Sequence, residues 1–149
     1  MAESYAYYPI TQYSNVLRIV QECEAVCENT FTAVLGRQDV SSRVTQLQLL
    51  RDCADICTLT AKYIARCSMF ARSLAALCAQ VCEVCGNHCL RMPDPVSQHC
   101  GRICMDCARE CRAYAGQASY PTPGYQGPGY SYSEFPGVYS QSEKENENK

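Results

Sequence analysis

The chain has 149 residues, thirteen cysteines and a formal net charge of −2. That length holds one domain of modest size, and the scattered Arg and Lys, with no basic run or aromatic-basic platform, exclude a nucleic-acid face. Leu, Ile, Val and Phe together supply under a fifth of the residues. This is thin for an ordinary core, and cysteine, a small hydrophobe when buried, makes up much of the difference.

Residues 1–13 are Tyr-rich, with Tyr5, Tyr7, Tyr8 and Tyr13 around Pro9, and are expected to be irregular until Thr11 or Ser14 caps a first helix. They show neither the basic n-region nor the apolar h-region of a signal peptide, and no stretch reaches the length of a membrane span. The expectation is a cytoplasmic protein whose cysteines stay reduced. The odd cysteine count also fits a closed disulfide framework poorly.

Apolar residues at helical spacing predict a first helix over about Asn15 to Leu35, with Val16, Ile19, Val20, Cys23, Val26, Cys27, Thr30 and Val34 on one face. Gly36 is the natural stop, and residues 36–42 form a turn. A second helix is expected over about Arg43 to Arg66, facing inward with Leu49, Cys53, Ile56, Cys57, Thr60 and Ile64. Cys67 falls in the second turn, off the stripe. Ser68 is placed as the cap of a third helix, about Met69 to Arg91, whose inner face carries Ala71, Leu74, Cys78, Val81, Cys82, Cys85 and Cys89. Pro93 and Pro95 stop it and open a fourth, about Val96 to Ala115. Short links favour antiparallel neighbours, so the predicted fold is all-α, an up-down-up-down four-helix bundle over residues 14–115. Residues 116–149, rich in Pro, Gly, Ser and Tyr and ending in EKENENK, lose all periodicity and read as a disordered tail.

The cysteines carry the strongest signal. CAQVCEVCGNHC holds Cys78, Cys82, Cys85 and Cys89, and CGRICMDCAREC holds Cys100, Cys104, Cys107 and Cys111. Both read C-x-x-x-C-x-x-C-x-x-x-C, a spacing that gathers four sulfurs into a sector of roughly 60° on one helix face. The two stretches mirror each other about Pro93-Asp94-Pro95. Cys53 and Cys57 mirror Cys82 and Cys78 about the second turn, and Cys23 and Cys27 mirror Cys57 and Cys53 about Val40. Folded as hairpins, these mirrors predict four layers: Cys23, Cys57, Cys78 and Cys111; Cys27, Cys53, Cys82 and Cys107; Cys85 and Cys104; and Cys89 and Cys100.

Soft thiolates select Cu(I), Zn(II) or iron–sulfur clusters. Zinc wants closed sets of four ligands, which the last two layers do not offer, whereas a ladder of paired sulfurs suits Cu(I) held by two or three thiolates that bridge between ions. His88, His99 and Met92, near the Pro93 turn, are residues able to pass such an ion inward, and this is the expected mouth. The opposite end, with Val16, Ile19, Thr60, Ile64, Ala71 and Leu74, reads as an apolar plug. No Ser/His/Asp set, phosphate loop or pair of catalytic carboxylates appears, so no enzyme is expected.

The run LQLLRDCADICTLTAKYIARCS, followed by the two twelve-residue motifs, resembles the bacterial four-helix-bundle copper storage proteins, their cytosolic branch in particular, over roughly residues 14–115. The resemblance implies a thiol-lined bundle, many Cu(I) ions per chain, a tetrameric homo-oligomer, and exchange with copper donors or acceptors. It places the twelve mirrored cysteines as ligands and His88, His99 and Met92 near the mouth. The chain departs from that pattern at Thr30, Val34, Gln46 and Leu49, which stand at levels where further thiols are expected. Two other readings accompany it: a coat-type assembly protein using disulfides and its Tyr-rich ends, at a cell surface or in a spore-coat-like layer, and a zinc or iron–sulfur helical protein.

Overall fold

A computed structural model describes residues 14–116. The predicted Tyr-rich segment 1–13 and the tail beyond 116 lie outside the described residues. Four helices follow one another: α1 Ser14–Leu35, α2 Val44–Ala65, α3 Ala71–Leu90 and α4 Pro95–Gly116, with a short 3-10 turn at Val40–Ser42 between α1 and α2. Each packs against its sequence neighbours and α1 closes on α4. The bundle is therefore up-down-up-down, as expected, and α2 faces α4 diagonally across the core.

Thiols take the place of large apolar side chains in that core. All twelve cysteines of the mirrored set are fully buried, and Leu50, Ile64, Gln46, Val20 and Val34 are the bulkiest side chains fully buried beside them. The inner faces differ in detail from the expected ones. Leu50 rather than Leu49 is buried on α2, Ala75 rather than Leu74 on α3, and Ile19, Val26, Ile56 and Val81 lie half-buried at the flanks. Small thiols fill this core, and the small Ala75 takes the central seam while the bulkier Leu74 lies half-buried at its edge.

The helix ends show how each hairpin is set. Cys67 adopts a left-handed backbone conformation (φ 54°). Its N–H bonds the Ile64 carbonyl, and the Ser68 N–H bonds the Tyr63 carbonyl. This is a Schellman ending with cysteine where glycine is usual. The Ser68 hydroxyl accepts the Phe70 N–H, but α3 begins at Ala71, two residues later than the sequence implied. At the third link Asp94 is the N-cap of α4, its carboxylate accepting the Ser97 N–H at 3.1 Å, and Pro95 takes the first helical position, where its missing N–H costs nothing. The Gln98 side chain donates to the Leu90 and Met92 carbonyls and ties this hairpin shut.

Between α3 and α4 two glycines replace side chains at the contact. A Cβ on Gly101 would stand 3.0 Å from the Gly86 carbonyl oxygen and 2.6 Å from Leu90 Cγ, and one on Gly86 would stand 3.1 Å from the Gly101 oxygen. Each follows a cysteine, Cys85 or Cys100, so the close approach of the two helices falls beside thiols of the column.

Candidate metal centre

The predicted thiol column exists, with one correction of register. Across α2 and α3, Cys57 and Cys78 lie 3.8 Å apart and Cys53 and Cys82 3.6 Å. Across α3 and α4, Cys82 and Cys107 lie 3.7 Å apart. These are the pairs that the mirrors predicted. Helix α1 is displaced toward the Pro93 end. Cys23 meets Cys53 and Cys104 at 3.9 Å, and Cys27 meets Cys104 at 3.6 Å and Cys100 at 3.9 Å. The expected layers of Cys23 with Cys111 and Cys27 with Cys107 therefore do not form. The cause lies in the connection: residues 36–43, with their 3-10 turn, are long enough for α1 to slide along its neighbours, whereas the tight second and third turns hold their helices level.

The slide makes the column more continuous. Cys23 fills the space between levels, and three overlapping quartets result: Cys23, Cys53, Cys57 and Cys82; Cys23, Cys27, Cys53 and Cys104; and Cys57, Cys78, Cys82 and Cys107, each with sulfurs within 4.8 Å of one another. Cys85 and Cys89 are fully buried as well, within electrostatic reach of Cys104 and Cys100 respectively, and carry the line of thiols on toward the Pro93 end. All thirteen cysteines are free, and Cys67 stands apart, exposed, in its turn.

Packed thiols divide protons unequally. Neighbouring sulfurs hold some thiols below the usual range, Cys53 beside Cys104 and Cys85, to about 6, beside Cys104 and Cys27. Others are pushed up by theirs, Cys57 beside Cys107 and Cys104 beside Cys100. Burial pushes in the same upward direction throughout. A soft cation that replaces the shared protons relieves this competition.

The Pro93 end is closed by a polar network that sequence reasoning missed. Arg43, only 3% exposed, pairs with Asp94 at 2.9 Å and with Asp39 at 2.8 Å. Its guanidinium also donates to Gln46 Oε1 at 2.9 Å. Gln46 Nε2 donates in turn to Ser97 Oγ at 2.7 Å and to Cys89 Sγ at 3.6 Å. Desolvation works against the Asp94 charge, but hydrogen bonds from Ser97 and Arg43 prevail and hold its carboxyl down at about 2. The Asp-Pro start of α4 carried a visible capping signal; nothing in the sequence marked Arg43 as its buried partner.

The expected mouth residues lie on α3, at the third link and on α4, next to the same turn. His88 and Met92 are half-buried and His99 is exposed. Partial burial, then the positive charges of Arg91 and Arg43, lower the His88 pKa and favour its neutral, ligating form. The opposite end is apolar, closed by Val16, Val20, Ile64, Ala71, Ala75 and Tyr114. Within it the Thr60 hydroxyl is buried without a hydrogen-bond partner.

The family model described as copper storage protein matches residues 10–116. The chain belongs to the copper storage protein family. It is 34% identical over 105 residues to the cysteine-rich protein YhjQ of Bacillus subtilis, covering 70% of this chain and 97% of that one. Among solved structures, a Cu(I)-bound copper storage protein matches at 33% identity, with a TM-score of 0.66, over 68% of this chain and 96% of its own. The apo form of copper storage protein 3 from Bacillus subtilis gives 33%, 0.65, 68% and 97%. A cytosolic copper storage protein from Streptomyces lividans, at 24% identity and a TM-score of 0.68 over 71% of this chain and 93% of its own, shares the fold. The family is one of storage proteins rather than enzymes. No helix of the described residues is long and apolar enough to cross a membrane.

Proposed function

We propose that this chain stores Cu(I), many ions per chain, with Cys23, Cys27, Cys53, Cys57, Cys78, Cys82, Cys85, Cys89, Cys100, Cys104, Cys107 and Cys111 as ligands. The observation that carries this is the overlap of the quartets: Cys23 and Cys53 belong to two of them, as do Cys57 and Cys82. Thiolates shared between neighbouring positions suit a cation satisfied by two or three sulfurs and tolerant of bridging, which is Cu(I). Ions enter at the end bearing His88, His99 and Met92, because the other end presents packed hydrocarbon. We infer a reducing cytoplasm, which would keep these thiols free, and a homo-oligomer that exchanges copper with donors and acceptors.

A zinc reading has its own support. Cys23, Cys27, Cys53 and Cys104 share no member with Cys57, Cys78, Cys82 and Cys107, so two closed tetrathiolate sites fit side by side. The coat-type reading depends on the Tyr-rich ends, which lie outside the described residues.

Anaerobic titration of the reduced full chain with Cu(I) against a competing chelator separates these readings. Storage predicts well over two tight equivalents, protons released as they bind, and weaker uptake as pH falls. A limit at two equivalents, with zinc held as tightly, ends the storage reading. Replacing His88, His99 and Met92 together by Ala should slow loading and leave the final capacity intact.

A further inference from the structure

The Arg43 network occupies a particular place in the bundle. Arg43 and Gln46 stand at the start of α2, and Asp94 and Ser97 at the start of α4. These helices are diagonal partners, so a bridge between their ends has to cross the bundle axis. Two such bridges exist, Arg43 to Asp94 and Gln46 to Ser97. Gln46 and Ser97 are fully buried. Gln46 also reaches Cys89 of α3, so its amide lies directly on the last thiol of the column.

We propose that Gln46 is the gating side chain of the thiol column: latched to Ser97 and held by Arg43, it closes the Pro93 end and must swing aside before a metal ion can pass Cys89. This rests on the storage reading and on loading from that end. The amide is a poor ligand for a soft cation and serves by position, since it fills the axis that the ion must use. Arg43, itself locked by Asp39 and Asp94, gives the gate a fixed anchor, while Ser97 is the neutral latch that can release. The gate also shields Cys89 and Cys100 from solutes larger than water.

Two variants of the full chain test this, Gln46→Ala, which removes the gate, and Ser97→Ala, which frees it without emptying the space. Stopped-flow uptake of Cu(I) from a chelator complex should quicken by about tenfold for Gln46→Ala, equivalent to roughly 1.4 kcal/mol of barrier, and by less for Ser97→Ala, with capacity unchanged. In the apo protein, a neutral thiol reagent read by peptide mass mapping should label Cys89 and Cys100 faster in both variants, with Cys57 and Cys78 unaffected. Unchanged uptake, or labelling that rises equally at all twelve buried cysteines as general loosening would cause, overturns the gate. A low capacity in the unaltered protein would instead count against storage, and the labelling pattern still decides the gate.

Discussion

The two ends of the bundle are closed in opposite ways. At the Pro93 end, Arg43, Gln46, Asp94 and Ser97 are buried and each has a hydrogen-bonded partner. At the far end, Val16, Val20, Ile64 and Ala75 pack as hydrocarbon around one unpartnered hydroxyl, that of Thr60. An apolar plug has no alternative arrangement of comparable energy: opening it exposes hydrocarbon to water. A polar plug can exchange its bonds one at a time with water or with an incoming ion's own ligands. This difference is what supports the proposed entry of metal at the Pro93 end.

The largest expected effect is at the charged anchor. Arg43→Met leaves Asp94 buried without its cationic partner, and a loss of about 3–5 kcal/mol in urea unfolding is expected. Acid should reproduce part of it. The folded Asp94 carboxyl sits at about 2, against an ordinary 3.8. Its contribution is therefore complete above pH 4 and lost as pH falls through 2, about 2 kcal/mol in all. Asp94→Asn should remove that part of the acid dependence. If Arg43→Met is tolerated with little cost, the two ends do not differ in the way described.

A smaller effect is expected where α3 and α4 touch. Gly101→Ala gains helix propensity, worth up to about 1 kcal/mol. Its new methyl, however, meets the Gly86 carbonyl at 3.0 Å and Leu90 Cγ at 2.6 Å. Leu90 can rotate, but the Gly86 backbone has to move, at about 1–3 kcal/mol. A net loss of about 1 kcal/mol by urea unfolding is expected. A gain would show slack at the end where close approach has been inferred.

The mirrored cysteine spacing made the bundle, its connectivity and the α2–α3–α4 thiol contacts legible in the sequence, because spacing along a helix fixes direction and two tight turns fix level. The level of α1 was not legible. Residues 36–43 allow a range of offsets, and the choice among them is made by packing against α2 and α4 together. Gln46 looked like a missing thiol because its position on the inner face was right; its role depends on Arg43, Ser97 and Cys89, brought to it by three different parts of the chain. Gly86 and Gly101 carried a signal that could have been used, since each adjoins a stripe cysteine in its mirrored motif and marks where backbones approach.

The smallest effect sharpens the comparison most, because it carries the opposite sign. Threonines on a helix often satisfy their hydroxyl at the carbonyl four residues back, as Thr58 does with Ala54 at 3.0 Å. Thr60, two residues along the same helix but facing the core, has no partner. A buried orphan hydroxyl costs about 1–3 kcal/mol, and replacing it with a methyl of nearly the same shape removes that cost. Thr60→Val should therefore stabilise the apo protein, by about 1 kcal/mol in urea unfolding, without changing how many Cu(I) ions it takes up. At the Pro93 end the same kind of exchange, Ser97→Ala, should cost stability, since it leaves the Gln46 amide short of an acceptor. Opposite signs for two hydroxyl deletions in one core would confirm that the ends are built on different principles. Equal signs would reduce the contrast to an accident of which side chains happen to be polar.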